Sequence, residues 1–258
     1  MLENPLKKKL KSGKPVIGIW SIVPSPILAE IYGLSGLDFQ IFDMEHGIYN
    51  LDTLDSSVRA CQGSGCASII RVPKISQSIV QSVMDLGTDG IIVPQIADKN
   101  DVETVIKYMR YAPEGVRGYN PFTRAAQYSN PPSNEHGKLN NSYGFSSIII
   151  ENESSYALID DILSVEKLDM VYLGVYDMSI ALGCKGNVKD PVILKFVEDC
   201  VKKIRDAGKA AGIMVKNEED IKNAYSLGAN VLVYGVDSNL IYKSSQEAVE
   251  QMKFIYHL

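Results

Sequence analysis

The chain is poor in the residues that build metal cages and covalent staples. Its 258 residues contain four cysteines and three histidines. The close pair, Cys61 and Cys66, is spaced C-x4-C with no histidine nearby, which is not a zinc spacing. With Cys184 and Cys200 they read as reduced thiols of a cytoplasmic protein. No apolar run approaches the roughly 20 residues that a membrane helix needs. Lys7, Lys8, Lys9 and Lys11 precede the apolar stretch 16–23, as in a signal peptide. Gly13, Pro15 and Gly18 interrupt it and no clean small-residue cleavage site follows, so secretion is not expected. Charge of neither sign dominates: 26 Lys and Arg face 31 Asp and Glu, a net of −5. That balance suits neither nucleic acid nor a membrane surface as partner. There is no G-x-G-x-x-G and no Walker A sequence. The turn after the first apolar run reads Ser21-Ile22-Val23-Pro24-Ser25-Pro26, which disfavours a doubly wound dinucleotide fold.

What is present is a regular alternation. Hydrophobic residues make up 45%, enough for a large core and too many for a disordered chain. Eight short runs rich in Ile and Val occupy 16–20, 39–43, 67–71, 90–94, 147–151, 170–174, 211–215 and 231–235. They do not alternate with polar residues, as strands of a parallel sheet buried on both faces require. Helix-period segments lie between them. Ser25-Pro26, Asn50, Asp98, Asp190-Pro191 and Asn217 are placed to cap helices, and Ser238 to open the last. Eight such units in one domain over 1–258 predict an α/β fold, a (β/α)8 TIM barrel. One connection is long, a Pro-, Asn-, Gly- and Ser-rich loop at about 112–146, read as a lid or binding loop.

In such a barrel the active site lies where strands end. Four apolar runs end in, or are closely followed by, ionisable groups: Asp43 with Glu45 and His46, then Arg71, then Glu151, and Asp177 after Gly174. Glu151 and Asp177, from neighbouring strands, form a carboxylate pair suited to a hard divalent ion, or else two solvated acids. Arg71 offers a planar fork for a carboxylate ligand, or an ion pair with a nearby acid. His46 beside Asp43 and Glu45 has the composition of a general base, or of a satisfied structural histidine.

Several segments resemble the HpcH/HpaI aldolase family. They are Phe42-Asp43-Met44-Glu45-His46-Gly47, Ile70-Arg71-Val72-Pro73, Met84-Asp85-Leu86-Gly87 with Pro94 after it, Pro113-x-Gly115-x-Arg117-Gly118, Ile150-Glu151, and Gly174-x-x-Asp177-Met178-Ser179. They follow the family's order with similar gaps, over essentially the whole chain. The resemblance implies a metal-dependent class II aldolase on a (β/α)8 barrel. It would cleave a 4-hydroxy-2-oxo acid to pyruvate, or a related 2-oxo acid, and an aldehyde. It implies Mg²⁺, Mn²⁺ or Co²⁺ on Glu151 and Asp177, and Arg71 holding the pyruvate carboxylate and steadying an enolate. His46 would be the acid/base, acting through water on the metal, with Asp43 and Asp85 as its orienting carboxylates. Backbone amides after Gly174, at Val175 and Tyr176, would contact the substrate. A homo-oligomer, trimer or hexamer, with a swapped C-terminal helix is also implied.

The chain departs from the family at Ile149, where a substrate-contacting Gln is common, and at Val175 and Tyr176. Those changes bear on substrate choice more than on the metal. Arg124, in the long loop, is a candidate for a second acid group. The departures keep open a lyase or condensing enzyme acting on an oxaloacetate- or acyl-CoA-type substrate, and a barrel without catalysis. Lys216, after the seventh run, is an alternative Schiff-base nucleophile, though the following Asn217-Glu218-Glu219 reads as an exposed turn.

Overall fold

A computed structural model describes residues 3–129 and 133–257. Eight strands form a closed, wholly parallel barrel in chain order: β1 (Val16–Ser21), β2 (Phe39–Asp43), β3 (Ala67–Arg71), β4 (Gly90–Val93), β5 (Phe145–Ile150), β6 (Met170–Leu173), β7 (Ala210–Val215) and β8 (Val231–Val236). The ring closes by pairing β1 with β8, from Val16 against Val231 to Trp20 against Val236. This is the expected (β/α)8 barrel, and each strand falls within two residues of its expected place. The reason is the one read from composition: β2, β4, β5 and β6 are buried along their whole length.

The helices are α1 (Pro5–Lys11), α2 (Pro26–Leu34), α3 (Leu51–Gly63), α4 (Gln77–Asp85), α5 (Lys99–Met109), α6 (Ser133–Tyr143), α7 (Glu153–Ala157), α8 (Ile159–Leu163), α9 (Val175–Ala181), α10 (Pro191–Asp206), α11 (Glu218–Leu227) and α12 (Asp237–Tyr256). The expected caps form. Ser25, Asp98, Asp190 and Asn217 accept backbone N–H bonds, and Asn50 with Thr53 makes a reciprocal capping box. Ser238 does not open α12; the helix begins at Asp237, whose carboxylate is committed elsewhere.

Two cores result. One fills the shell between strands and helices, and the other fills the barrel interior. Inside the barrel, Phe39 and Ile41 of β2, Ala67 and Ile69 of β3, Ile149 of β5, Met170 and Tyr172 of β6, and Ala210 and Met214 of β7 lie in one cluster. They recur every second residue, so the same parity points Asp43, Arg71 and Glu151 inward at the upper ends. Gly18 makes room for this packing: a Cβ there would fall 2.5 Å from the Phe39 ring. α1 seals the lower end with Leu6, and Asn4 ties it down by donating to the carbonyl of Asp89 at 2.8 Å.

The connection at about 112–146 is not one open loop. It holds a 3-10 segment at Arg124–Ser129 and α6, with residues 130–132 outside the described residues. α6, Ser-Asn-Glu-His-Gly-Lys-Leu-Asn-Asn-Ser-Tyr, has too few apolar residues to show a period. No described helix is long and apolar enough to cross a membrane.

Candidate active site

The upper rim brings together most of the residues singled out in the sequence. Arg71 ends β3 with its side chain 12% exposed and Asp43 ends β2 at 1%. The guanidinium grips Asp43 with both prongs. Nε donates to Oδ1 at 2.8 Å, and Nη2 donates to Oδ2. Nη1 lies 3.1 Å from Glu45 Oε2. Below, the guanidinium carbon stands 4.5 Å from the centre of the Trp20 ring, whose Nε1–H donates to the Tyr172 hydroxyl at 3.1 Å. Burial alone would lower the Arg71 pKa. The charges of Asp43, Glu45 and Glu151 outweigh it, so the pKa is raised and Arg71 is a permanent cation.

Glu151 follows β5. Its Oε1 accepts the Gln95 backbone N–H at 2.6 Å, and Gln95 Nε2 donates to Glu45 at 2.9 Å. Gln95 has φ of 56°, a left-handed conformation that aims its N–H at the carboxylate. Burial pushes Glu151 up to about 7. The Gln95 N–H opposes this, the charges of Asp177 and Glu45 add to it, and Arg71 again opposes. Gly174 lets the acid sit there, since a Cβ at that position would meet Glu151 Cβ at 2.6 Å. Asp177 lies in the first turn of α9, exposed to the mouth. Among the described residues no three His, Cys, Asp or Glu side chains form a metal cage. Glu151 and Asp177 still offer two hard oxygen donors, a fit for an ion that completes its shell with water and substrate oxygens.

His46 is open to solvent, with its side chain 68% exposed. Its Nε2 stands 4.0 Å from Glu45 Oε2. Asp43 does not orient the ring; it accepts the backbone N–H of Glu45 at 2.8 Å and of His46 at 3.2 Å, fixing the turn.

Two expected site residues are not at this rim. Asp85 ends α4, which runs antiparallel to the strands, so it lies near the start of β4 at the opposite end of the barrel. There it pairs with Arg117, whose buried guanidinium carbon stands 4.5 Å over the Tyr111 ring. Arg124 is at the same far end, donating to the carbonyl of Leu86 at 2.9 Å and to Gln62 Oε1 at 2.6 Å. Within one chain neither reaches His46 or the acid pair, and the described part of the long connection around Arg124 packs at that far end.

The sequence reading passed over Gln95, Trp20 and Tyr172. It also missed Asp237, fully buried at the start of α12, which accepts the backbone N–H groups of Ile22 and Val23 at 3.1 Å each. The interior parity of Trp20 and Tyr172 could have been counted. The contacts of Gln95 and Asp237 cross the ring and carry no local signal.

The family model described as HpcH/HpaI aldolase/citrate lyase matches residues 16–244. The chain belongs to the HpcH/HpaI aldolase/citrate lyase family. It is 29% identical over 255 residues to a 2-keto-3-deoxy-L-rhamnonate aldolase of Escherichia coli O17:K52:H18, covering 98% of this chain and 94% of that one. It is 30% identical over 257 residues to a hydroxypyruvate/pyruvate aldolase of Pseudomonas aeruginosa, covering 97% and 93%. The crystal structure of the citrate synthase SbnG superposes with a TM-score of 0.90 at 29% identity, over 99% of this chain and 100% of that one. The named aldolases of the HpcH/HpaI family are carbon–carbon lyases, the class expected for this chain.

Proposed function

We propose that the chain is a divalent-metal-dependent class II aldolase. It would cleave a 4-hydroxy-2-oxo acid to pyruvate, or a related 2-oxo acid, and an aldehyde, and run the condensation in reverse. The observation that carries this reading is the inward Glu151 carboxylate, fixed by the Gln95 N–H on the same rim as Asp177 and the Asp43-anchored cation Arg71. Two acids that repel one another invite a cation, and Arg71 invites an anion.

Bound on Glu151 and Asp177, Mg²⁺, Mn²⁺ or Co²⁺ would act as a Lewis acid that lowers the cost of forming an enolate. Arg71 supplies a fixed positive charge where negative charge develops, already paired to Asp43 and therefore immobile. Trp20 and Tyr172 fill the floor beneath it and exclude water. The N–H groups of Val175 and Tyr176 open α9, where no intrahelical acceptor reaches them, and they take a substrate carboxylate. His46 moves the proton of the 4-hydroxyl, worth roughly 10²–10⁴ in rate, and its exposure gives it the freedom to do so. Lys216 is a poor Schiff-base nucleophile, because its exposed ammonium is held by the Tyr176 hydroxyl.

The test is exchange of the pyruvate methyl protons in D₂O, followed by NMR. Exchange is expected with Mg²⁺ or Mn²⁺, to stop with EDTA, and to be lost in Glu151→Ala and Asp177→Ala. A folded, metal-loaded protein that exchanges nothing would remove pyruvate as the nucleophile.

A second reading is a condensing enzyme using an acyl-CoA. It is favoured by the likeness to a citrate synthase and by a groove of about 880 Å³ opening at Tyr176 and Lys216 and running between α10 and α11 over Leu194, Ile213 and Leu227. Thiol release from acetyl-CoA on addition of oxaloacetate would establish it.

Self-association belongs to the same proposal. Among the described residues of α12 only Asp237, at its start, is buried, and Ile241, Val249, Met252, Phe254 and Ile255 are exposed. Light scattering is expected to give a trimer or hexamer, and a monomer mass would end that expectation.

A further inference from the structure

We infer that Gln95 is a positioning residue: its carboxamide restrains Glu45, an acid that would otherwise compete with the substrate carboxylate for Arg71. The inference rests on the proposed binding of a 2-oxo acid at Arg71 and names what keeps that cation available.

A guanidinium carries about five N–H donors. Asp43 takes one from Arg71 Nε at 2.8 Å and one from Nη2. Glu45 Oε2 lies 3.1 Å from Nη1. At least one donor on each terminal nitrogen is left for a substrate anion. The two acids are not held alike. Asp43 is 1% exposed and also accepts the backbone N–H groups of Glu45 and His46, so it is locked in place. Glu45 reaches Arg71 from the turn beyond β2. Its other oxygen, Oε1, has one hydrogen-bond partner among the described residues, Gln95 Nε2 at 2.9 Å. Without that donor the Glu45 carboxylate is free to turn both oxygens onto the outer N–H groups of Arg71, the ones a substrate needs. A competitor tethered beside its target acts at high effective concentration.

The strand order places Gln95 for this task. It stands just past Val93, the end of β4, on the rim between Arg71 of β3 and Glu151 of β5. Its φ of 56° is a left-handed conformation that costs a residue with a Cβ. In that conformation its backbone N–H reaches Glu151 Oε1 at 2.6 Å. Glycine would deliver the same N–H without the strain. The Glu151 bond alone therefore does not account for a glutamine here. What glycine would lose is the side-chain bond to Glu45. One neutral residue thus fixes two acids, Glu151 with its main chain and Glu45 with its side chain. An amide also suits the position chemically, since it holds Glu45 without adding a charge of its own.

The test is a double-mutant cycle on pyruvate binding to the Mg²⁺-loaded protein, read by titration calorimetry. Gln95→Gly keeps the N–H and accepts the positive φ, and removes only the carboxamide. It is expected to weaken pyruvate binding about tenfold, the scale of one hydrogen bond to a charged group. In a Glu45→Gln background the same change should alter Kd by less than about twofold, because the competing carboxylate is gone. Mn²⁺ affinity of Gln95→Gly should stay within about twofold of wild type, since the backbone bond to Glu151 remains. In methyl exchange the loss should appear in KM and leave kcat within about twofold. Unchanged pyruvate affinity in Gln95→Gly, an equal loss in both backgrounds, a parallel loss of Mn²⁺ affinity, or a wild type that binds no pyruvate would each overturn the inference. Exchange in D₂O separates the two readings. Exchange with no effect of Gln95→Gly on binding defeats this inference alone. A Glu45-dependent loss of binding in a protein that exchanges nothing defeats the enolate chemistry and leaves the restraint standing.

Discussion

Arg71→Met is expected to cost the protein about 3–5 kcal/mol of stability, because it strands the Asp43 carboxylate in a buried position without its partner. The same change should lower turnover by roughly a hundred- to a thousandfold, the scale seen when a preorganised donor aimed at a developing oxyanion is removed. The two losses have different origins and can be separated. Asp43 is 1% exposed and its carboxylate also holds the backbone N–H groups of Glu45 and His46. Arg71→Met with Asp43→Asn removes the stranded charge, so urea midpoints should recover much of the lost stability. Activity should not return, since the cation is still missing. Arg71→Lys should fall between. It keeps a charge but gives up the two-pronged grip and the stacking on Trp20. If the double variant regained activity along with stability, the role of Arg71 would be structural.

Glu151→Gln should do the reverse to stability. The folded pKa of Glu151, about 7, lies above the ordinary carboxylate value of 4.5. The native state therefore holds a proton that the unfolded state has released, and stability falls as pH rises through that window. Removing the acid should stabilise the metal-free protein by about 2 kcal/mol at pH 8, or about 5 °C in Tm. Below pH 4.5 the advantage should vanish. Added Mg²⁺ or Mn²⁺ should raise the Tm of the wild type by mass action and do nothing for the variant. A variant that lost stability at pH 8, or still responded to metal, would show that Glu151 is neither an unfavourably buried acid nor a ligand.

The strands were legible because parallel strands buried on both faces are written as uninterrupted apolar runs. The caps were legible because each is a local event of a few residues. α1 and α6 were not, since α1 is short and basic and α6 is nearly all polar. At the site, Asp43, Arg71, Glu151 and Asp177 stood out as polar stops at strand ends. Asp85 was placed there by family resemblance alone, and Arg124 by the reading of the long connection as a lid. The antiparallel course of α4 already assigns Asp85 to the other end, five residues ahead of β4. The Lys216 contact with Tyr176 joins residues 40 apart in sequence, and nothing local announces it.

Closure of the ring has a consequence for synthesis. β1 pairs with β8, and Asp237 fastens the end of β8 to the turn after β1. The first strand thus waits for the last. At bacterial or eukaryotic elongation rates of about 5–20 residues per second, the interval is roughly 10–40 s. Throughout it, the edge of β1 facing β8 has no partner. An apolar strand with an open edge is a template for wrong pairing. The nascent chain is therefore most exposed to aggregation at its beginning, and for nearly the whole time it takes to make.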